Sequence, residues 1–419
     1  MVLRSLKQHI FWHWLWVLPF SCALMACGTV QPGSQEIAFI RGNALWTIAS
    51  NGSRPVQIVN SRTVLSFTWA PDHTQLVYRG LNPQAAVAAS ALLTPANLFV
   101  VGIDGGVPLQ ITPQRTEWAY TQPWWSTDGS RLLYEEQFAA GDMPPTWWIA
   151  QPDQPAGIAR KAFVAGVGLP ALAPDGHSVA MITARGMVAV ITPAGRARVI
   201  ARGAALALAP GPAAPARAIW RPGHQQVLYP VAMPDDSLTL MLVDMQGNTR
   251  PITTVSGLRG YAWSPNGRLL LLWTSAGFQV VSADGQPQLS WGMPFPAIAY
   301  WSPDSRYVLS ESASSLILAD LQRRHVTLLL QDGAQHIPAD LEQILQAAGG
   351  SPWAPDGTAF IMVTHGGRWD GQHLPIRNAP GDGLYLVTLS EQERPSLIDW
   401  GEHYLASWTT LDTNTALVP

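Results

Sequence analysis

Cysteine and charge are both scarce in this chain. The only cysteines are Cys22 and Cys27, and charged residues make up 13% of the 419 positions. Two cysteines provide neither a disulfide framework nor a thiolate metal centre. The formal net charge is −3, and Lys161 is the only lysine after Lys7. This balance does not favour nucleic acid, whose binding would need clustered Lys and Arg.

Several sequence signatures of catalysis are missing as well. The chain has no Gly-x-Ser-x-Gly elbow, no His-Glu-x-x-His zinc motif, no phosphate loop and no dinucleotide fingerprint. The first absence indicates that no serine-hydrolase domain accompanies the rest of the chain. We therefore predict no catalytic residues, no bound metal and no cofactor.

Glycine, proline and tryptophan are abundant, with 36, 35 and 19 copies. A short phrase built on Trp-[Ser/Ala]-Pro-Asp-Gly, followed by an apolar run, recurs along the chain. Its Trp position, occupied once by leucine, falls at Trp69, Trp125, Leu172, Trp220, Trp263, Trp301 and Trp353. A repeat near forty residues predicts an array of similar units.

The unit around Trp263 shows what each copy encodes. Strands are predicted at 261–264, 268–274, 278–282 and 288–291, and the first turn is Pro265-Asn266-Gly267. Pro presets φ, Asp or Asn hydrogen-bonds its own turn, and Gly accepts a positive φ. Four antiparallel strands per repeat indicate an all-β propeller blade, in which the recurring Trp packs in the core.

The phrase resembles the WD40-like repeat of the TolB family, over nearly the whole chain after residue 35. This resemblance implies a single β-propeller and protein partners within the cell envelope. It is specific for the fold and poorly specific for activity.

The two ends of the chain bear on the number of blades. Strands are predicted at 36–41, 45–49 and 56–59, without a first strand before them, and 404–411 resembles a first strand with a degraded turn. One composite blade from both ends would close the ring and remove two sheet edges. We expect eight blades, with seven as the alternative if the unit around Leu172 is not a separate blade.

The N-terminal segment predicts export. Arg4 and Lys7 precede an apolar stretch from Ile10 to Met25, and Leu24-Met25-Ala26-Cys27 resembles the lipobox of bacterial lipoproteins. The resemblance implies a signal peptide over 1–26, a lipidated Cys27 with a tether over 27–35, and a propeller over 36–419. An ordinary cleavage site or an uncleaved apolar anchor are the alternatives. Lipid attachment predicts a location outside the cytoplasmic membrane or on the outer membrane.

Five insertions interrupt the regular units, at 80–96, 137–145, 203–216, 332–350 and 365–383. All are predicted connections between second and third strands or between successive units, so they share one face of a propeller. Pro338 to Ala348 is predicted to be a short amphipathic helix that docks on its neighbours or caps the channel. The insertions indicate the working face, because loops vary most where partners bind.

One insertion holds the densest group of polar side chains. Its candidate ligand or partner residues are His365, Arg368, Trp369, Asp370, His373 and Arg377. Imidazoles beside a carboxylate suit a cation or a sugar-like ligand, but their spacing matches no established metal motif and also fits a solvated, glycine-rich loop. His73, His177 and His224 lie in or beside the recurring turns, where we expect exposed side chains.

Three functions are compatible with these features. The first is a noncatalytic scaffold, anchored by lipid, that binds an envelope protein or polymer through its insertion-bearing face. A second is a lyase or hydrolase acting on carbohydrate, with His365, Asp370 and His373 as acid or base groups. The third is a carrier or sensor of a small ligand. Membrane contact through the lipid anchor and no binding of nucleic acid are expected in each case.

Overall fold

A computed structural model describes residues 36–60, 64–81, 94–140, 144–155, 160–164, 167–192, 196–208, 216–293, 297–312, 315–331, 350–364, 383–389, 396–400 and 404–410. By its internal contacts the chain divides into Met1–Gln31 and Pro32–Pro419, and all described residues belong to the second unit. These residues form strands and turns without a helix, so the described part contains no helix that could cross a membrane.

The strands follow the order expected from the repeats. The first part of the chain forms β1 (Glu36–Arg41), β2 (Ala44–Ala49), β3 (Val56–Val59), β4 (Val64–Trp69), β5 (Gln75–Leu81), β6 (Ala96–Gly102), β7 (Gly105–Gln110), β8 (Trp118–Trp125), β9 (Leu132–Phe138), β10 (Thr146–Ala150) and β11 (Arg160–Val164). The middle forms β12 (Val167–Leu172), β13 (Val179–Ile182), β14 (Met187–Ile191), β15 (Ala197–Arg202), β16 (Ile219–Trp220), β17 (Gln226–Ala232), β18 (Leu238–Asp244), β19 (Thr249–Val255), β20 (Leu258–Trp263), β21 (Leu269–Thr274), β22 (Gly277–Ser282) and β23 (Pro287–Trp291). The last part forms β24 (Ala297–Trp301), β25 (Tyr307–Ser312), β26 (Ser315–Asp320), β27 (His325–Gln331), β28 (Gly350–Ser351), β29 (Ala359–Thr364), β30 (Gly383–Thr388), β31 (Ser396–Trp400), β32 (Tyr404–Ser407) and β33 (Thr409–Thr410).

Each phrase introduces a set of four strands, which we name by its Trp position. The Leu172, Trp220, Trp263 and Trp301 units are separate four-stranded antiparallel sheets. The Trp69 and Trp125 units share one eight-stranded sheet, because a parallel bridge joins Ala96 of β6 to Ala119 of β8. In the Trp353 unit, β29, β30 and β31 form a three-stranded sheet, and a bridge joins Trp353 to Phe360. This succession of antiparallel four-strand sets is the architecture of a β-propeller.

Strands from the two ends of the chain share a further sheet, the terminal unit, with the order β3-β2-β1-β32. Ala38 lies opposite Ser407, and Ile40 lies opposite Tyr404. The C-terminal strand β32 therefore occupies the first position of a set whose other three strands come from residues 36–59. Beside it, β33 pairs with β28 of the Trp353 unit.

The recurring turn is built locally. In the Trp263 unit, the Ser264 hydroxyl donates to the Asn266 side-chain oxygen at 2.8 Å, and the backbone N–H of Leu269 donates to the Ser264 Oγ at 3.0 Å. Gly267 takes a φ of +65°, which glycine adopts without strain. His73 and Ser305 hold positive φ at the matching offset of their own turns, so this geometry does not require glycine.

The residue at the Trp position of the phrase is buried in all seven units, as expected for a side chain that packs in the core: Trp69, Trp125, Leu172, Trp220, Trp263, Trp301 and Trp353. Three of the indoles also bond to the preceding unit. Trp220 Nε1 donates to the Ala171 carbonyl oxygen at 3.1 Å, and Trp353 Nε1 donates to that of Tyr300 at 3.2 Å. Each accepting residue directly precedes the phrase position of its own unit, so the contact is equivalent at these junctions.

The strand directions define two faces. The turns between first and second strands lie on one face, the turn face, together with the connections between third and fourth strands. The opposite face, here the insertion face, carries the connections between second and third strands and those between units. The four longest connections, residues 82–95, 203–218, 332–349 and 365–382, all belong to the insertion face. The predicted insertion at 137–145 also belongs there, but residues 151–159 on the turn face form a longer connection than 139–145 does.

Candidate functional site

The candidate residues predicted from the sequence lie outside the described residues. These are Cys27, His365, Arg368, Trp369, Asp370, His373 and Arg377, and the expected helix at 338–348 lies outside them as well. The flanking strands still fix the end of the fold from which the loop projects. Since β29 ends at Thr364 and β30 begins at Gly383, this loop leaves from the insertion face.

The Trp125 unit carries a buried carboxylate near the insertion face. Glu136 lies on β9 with only 5% of its surface exposed. Its Oε1 accepts hydrogen bonds from Arg115 Nη1 at 3.0 Å and from the Tyr120 hydroxyl at 3.1 Å, while its Oε2 accepts one from Trp148 Nε1 at 3.0 Å. A buried carboxylate with three donors is satisfied, so Glu136 positions the surrounding side chains.

The neighbouring tyrosines respond to this environment. Burial raises the pKa of Tyr120 and of Tyr134 above the usual tyrosine range, and the negative charge of the Glu136 carboxylate is the second largest cause. Their rings meet edge to face, with centroids 5.9 Å apart. Both phenols therefore stay protonated at neutral pH, and the Tyr120 hydroxyl remains a donor to Glu136.

Glu135, the preceding residue, points to the other side of β9 and has a different environment. It is half-buried, and the Thr121 hydroxyl donates to its Oε2 at 2.7 Å. Burial raises the pKa of the Glu135 carboxyl, although the hydrogen bond from Thr121 partly opposes this effect. An acid with a raised pKa and one side-chain donor is better suited to proton exchange than Glu136 is.

Arg79 approaches the same strands from the Trp69 unit. Its Nε donates to the carbonyl oxygen of Tyr120 at 2.9 Å, and burial lowers the pKa of the guanidinium. Among the described residues, no carboxylate forms an ion pair with Arg79. The insertion that follows, residues 82–93, contains no Asp or Glu. This half-buried cation is therefore well suited to an anionic group of a ligand or partner.

Arg79 and Glu135 occupy equivalent positions, ten residues after their phrase tryptophans, and Glu311 is the equivalent residue of the Trp301 unit. Arg79 pairs with Ser66, Glu135 with Thr121 and Glu311 with Ile298, each towards the insertion face of a first strand. The Trp220, Trp263 and Trp353 units have Pro230, Trp273 and Val363 there. A charged residue ten positions after the phrase tryptophan is the sequence signal that could have identified Arg79, Glu135 and Glu311.

Exposed apolar side chains also occur on the insertion face. Leu206 and Met233 are 43% and 41% exposed. The backbone N–H of Ala205, beside Leu206, donates to the Pro230 carbonyl oxygen at 2.8 Å, which holds this connection against β17. The insertion face therefore combines charged groups near its inner strands with an apolar edge at the Trp220 unit.

The histidines of the turn face differ from one another. His177 and His224 are exposed, as expected, but the exposure predicted for His73 is wrong. His73 is 9% exposed and packs against Trp69 with ring centroids 5.4 Å apart. Its positive φ of 57° turns the side chain back onto the indole. Within the described ranges, no group of three or more His, Cys, Asp or Glu is placed to hold a metal ion.

Comparison with known proteins extends to the fold alone. No protein-family model and no curated protein matches the sequence. A solved eukaryotic initiation factor is 11% identical, with a TM-score of 0.51 over 91% of this chain and 100% of that chain. An oligogalacturonate lyase in complex with manganese is 12% identical (TM-score 0.49, 85% and 96% covered), and TolB from Acinetobacter baumannii is 13% identical (TM-score 0.40, 87% and 78% covered). At these identities the similarity carries no activity or partner over to this chain.

Proposed function

We propose that this protein is a noncatalytic binding scaffold, held by lipid outside the cytoplasmic membrane, whose insertion face binds an envelope protein or polymer. The observation that carries this proposal is the difference between the two faces. The four longest connections share the insertion face, whereas short turns fill most of the opposite face. Variable loops on a rigid scaffold are a common way to build a binding surface.

We further propose an eight-bladed ring closed by the terminal unit. The Leu172 unit forms its own four-stranded sheet, which favours eight blades over seven. Pairing of β32 with β1 gives the terminal unit four strands as well. The indole N–H of Trp69 donates to the Ser407 carbonyl oxygen at 3.0 Å. The Trp69 unit therefore contacts the terminal unit in the same way as the Trp220 unit contacts the Leu172 unit.

Attachment to the membrane through Cys27 is the second part of the proposal. The lipobox-like Leu24-Met25-Ala26-Cys27 supports it. Metabolic labelling with an alkyne fatty acid, followed by membrane fractionation, tests it directly. The wild-type chain should be labelled and sediment with membranes, and Cys27→Ala should lose the label. A labelled Cys27→Ala variant would contradict lipidation at this residue.

The charged groups favour binding over chemistry. Glu136 has donors on both of its oxygens, and Arg79 presents a cation without a carboxylate partner among the described residues. A half-buried guanidinium is a strong anchor for a carboxylate on a partner, and loss of such an anchor commonly weakens binding at least about tenfold. We therefore place Arg79 within the binding surface.

Affinity purification after crosslinking, from the protein's own membranes, tests the scaffold. A partner recovered with the wild-type chain should be lost or reduced with Arg79→Gln. It should be retained with Arg268→Gln, which removes an exposed arginine from the turn face. Recovery that is unchanged by Arg79→Gln but abolished by Arg268→Gln would place binding on the wrong face and overturn the proposal.

A carbohydrate-active lyase or hydrolase is the second candidate, and Glu135 is the observation that favours it. Its carboxyl combines a raised pKa with a position towards the insertion end of β9, on the face from which the His365–His373 loop leaves. The test is cleavage of acidic oligosaccharides by wild type, Glu135→Gln and a His365→Ala/His373→Ala double variant. Turnover that is lost in these variants would favour the enzyme over the scaffold.

The remaining candidate, a carrier of a small ligand, would bind such sugars without cleaving them.

A further inference from the structure

The arginines of the Leu172 unit lie in a stretch of sequence without acidic residues. Residues 176–234 contain six arginines and no Asp or Glu, although acidic residues outnumber Lys and Arg in the whole chain. Four of the six are exposed and belong to the Leu172 unit. They form what we call the arginine stripe: Arg185, Arg196, Arg198 and Arg202. The net charge of the chain therefore conceals a locally positive surface.

The arginine stripe follows the edge strand of this unit. Among the described strands, β15 pairs with β14 alone and so forms the edge of its sheet. Arg198 and Arg202 lie on β15, about 13 Å apart along the strand. Arg196 directly precedes β15 at the turn face, and Arg185 lies in the hairpin between β13 and β14 at the insertion face. The stripe therefore runs from one face to the other.

The charge of the stripe is not neutralised within the described part of the chain. None of its four arginines forms an ion pair there. Arg202 Nη1 lies 3.6 Å from the Met187 Sδ, a weak acceptor that leaves the positive charge uncompensated. The flanking segments 193–195 and 209–215 contain no Asp or Glu either. The stripe therefore presents cations to solvent.

Protection of a sheet edge does not account for this concentration of charge. Charged side chains on an edge strand often prevent association between sheets. However, the edge strands β3, β7, β23 and β27 contain no Asp, Glu, Lys or Arg. A guanidinium group binds a carboxylate through two parallel hydrogen bonds. The stripe is therefore complementary to a partner that carries several carboxylates.

An apolar side chain adjoins the insertion end of the stripe. The backbone N–H of Ala204 donates to the Gly186 carbonyl oxygen at 2.9 Å, which holds the connection after β15 against the β13–β14 hairpin. Leu206, two residues further on, is 43% exposed. In the next unit, the exposed Asp235 and Asp236 end the positive surface. A partner that follows the stripe towards the insertion face thus meets cations first and an apolar contact next.

We infer that the arginine stripe and Leu206 bind an extended segment of a partner protein, in which a run of acidic residues adjoins apolar ones. This inference rests on the proposed scaffold function and specifies the chemistry of the protein that the scaffold holds. Carboxylates of the segment pair with the guanidinium groups along β15. Its apolar residues contact Leu206 where the stripe reaches the insertion face.

Other anionic partners fit this surface less well. A charged polymer would pair with the arginines but gains nothing from an apolar contact. Nucleic acid lacks its usual stacking platform, since no Phe, Trp or Tyr lies between Phe163 and Trp220 in the sequence. A lipid bilayer requires a broader apolar face for insertion than Leu206 provides. A protein segment uses both the cations and the apolar residue.

Fluorescence anisotropy with a synthetic peptide tests the inference. The probe is a fluorescein-labelled peptide of alternating Glu and Thr with Leu-Leu at one end, tried in both orders, and its control has Gln for each Glu. The full chain in detergent is compared as wild type, Arg198→Gln/Arg202→Gln and Arg54→Asn/Arg268→Gln. The last variant removes two exposed charges outside the stripe, and Asn tolerates the positive φ of Arg54.

The wild type and the Arg54→Asn/Arg268→Gln variant should bind the Glu peptide with similar affinity. The Arg198→Gln/Arg202→Gln variant should bind it roughly tenfold more weakly, because two exposed ion pairs are lost. Added salt should weaken binding to the wild type. Leu206→Ser should weaken binding of this peptide but not of one that lacks the Leu-Leu end.

No binding of the Glu peptide, equal binding of the Glu and Gln peptides, or an equal loss in both double variants overturns the inference. Long-chain polyphosphate and vesicles of anionic lipid are tested in the same way. Tighter binding of either, lost with Arg198→Gln/Arg202→Gln but unchanged by Leu206→Ser, would assign the stripe to a polymer or a lipid surface instead. Failure of the scaffold itself is distinguishable: a crosslinked partner that depends on Arg79 but not on the stripe removes this inference alone.

Discussion

The Trp69 indole and the Ser407 carbonyl group, 338 residues apart in the sequence, are joined by a buried hydrogen bond of 3.0 Å. Through it the unit that starts at β4 holds the C-terminal strand β32 in the terminal sheet. Ser407 also links to the Trp353 unit, because its hydroxyl accepts the backbone N–H of Ser351 at 3.2 Å. One residue of β32 thus contacts the units on both sides.

Trp69→Phe should destabilise the protein by about 1–2 kcal/mol more than Trp301→Phe does. Both indoles are at least 99% buried, so both variants lose similar apolar contact. Trp69 Nε1 donates to Ser407, whereas Trp301 Nε1 has no partner among the described residues. The difference therefore measures the hydrogen bond between this indole and the buried carbonyl group of Ser407. Urea unfolding of the two variants provides the comparison, and equal losses would assign no energy to this bond.

Removal of residues 404–419 should lower the melting temperature sharply and promote aggregation. The truncation removes β32, β33 and Trp408 between them, so that the buried side chains of Ala406 and Trp408 are lost and the edge of β1 is exposed. Loss of a buried tryptophan alone costs about 3–5 kcal/mol, and an open sheet edge favours association between chains. Calorimetry with light scattering reports both effects. A truncated chain that keeps its melting temperature would show that the terminal sheet does not support the fold.

His73 should make the fold sensitive to acid. Burial lowers its pKa below the usual 6.5, and the carboxylate of Asp72 only partly opposes this shift. Because the folded state binds the proton less readily than the unfolded state, its stability is complete above pH 6.5 and falls as the pH drops below that value. His73→Asn, which tolerates a positive φ, should flatten this dependence in urea midpoints measured between pH 7.5 and 5.

His224 provides the matched control for this measurement. It has the same offset from its phrase tryptophan but is exposed, with Nδ1 2.9 Å from the Pro222 carbonyl oxygen. His224→Asn removes an exposed imidazole at the same offset and thus controls for the substitution itself. If both variants change the profile equally, burial of His73 is not its cause.

Glu136→Gln should destabilise the fold by about 1–3 kcal/mol, while Glu135→Gln should be neutral or slightly stabilising at pH 7. The first change removes a buried charge that accepts three hydrogen bonds, one of them from Arg115. The second removes a carboxyl whose burial already disfavours the ionised form. Chemical denaturation of both variants separates the two roles. A larger loss for Glu135→Gln would reverse our assignment of which carboxylate is structural.

Gly267→Ala should cost more than Gly223→Ala, although both glycines hold positive φ in their turns, Gly223 one position earlier after its phrase Trp than Gly267. A Cβ at Gly267 would lie 2.4 Å from the Pro222 carbonyl oxygen of the neighbouring unit, whereas a Cβ at Gly223 would meet no atom within 4 Å. Alanine at Gly223 should therefore show only the cost of the left-handed backbone, about 1–2 kcal/mol. Thermal unfolding of the pair measures how tightly adjacent turns pack, and similar losses would indicate that the turns move apart freely.

Much of the local structure follows from the sequence, because it depends on residues close together in the chain. The strands at Glu36–Arg41 and Val56–Val59 were predicted with their observed bounds. The first strand of the Trp353 unit is less regular than its repeats suggest. Pro352 lacks the N–H that would continue a ladder, so β28 ends at Ser351 and pairs with β33.

The site was much less predictable, since its contacts depend on side-chain packing and on the pairing of strands. Burial of His73 depends on how a positive φ turns its ring onto Trp69, which the position in a turn does not reveal. Glu135 and Glu136 are adjacent acidic residues in the sequence of β9, but their partners Thr121, Tyr120 and Arg115 lie at separations of 14 to 21 residues. The polar loop from His365, which drew attention by composition alone, lies outside the described residues.

Residues 36–59 and 404–407 share one sheet, so this sheet can be completed only after the C-terminal part of the chain has been made. If the chain is exported from its N-terminus as proposed, β1, β2 and β3 reach the far side of the membrane long before β32 follows. During this interval β1 has a free edge, and the contact that covers it requires closure of a loop of more than 300 residues, as the separation of Trp69 from Ser407 indicates. Such non-local pairing is slow and leaves the intermediate prone to association. Secretion yield should therefore depend on periplasmic or extracellular chaperones that shield this edge until translocation ends.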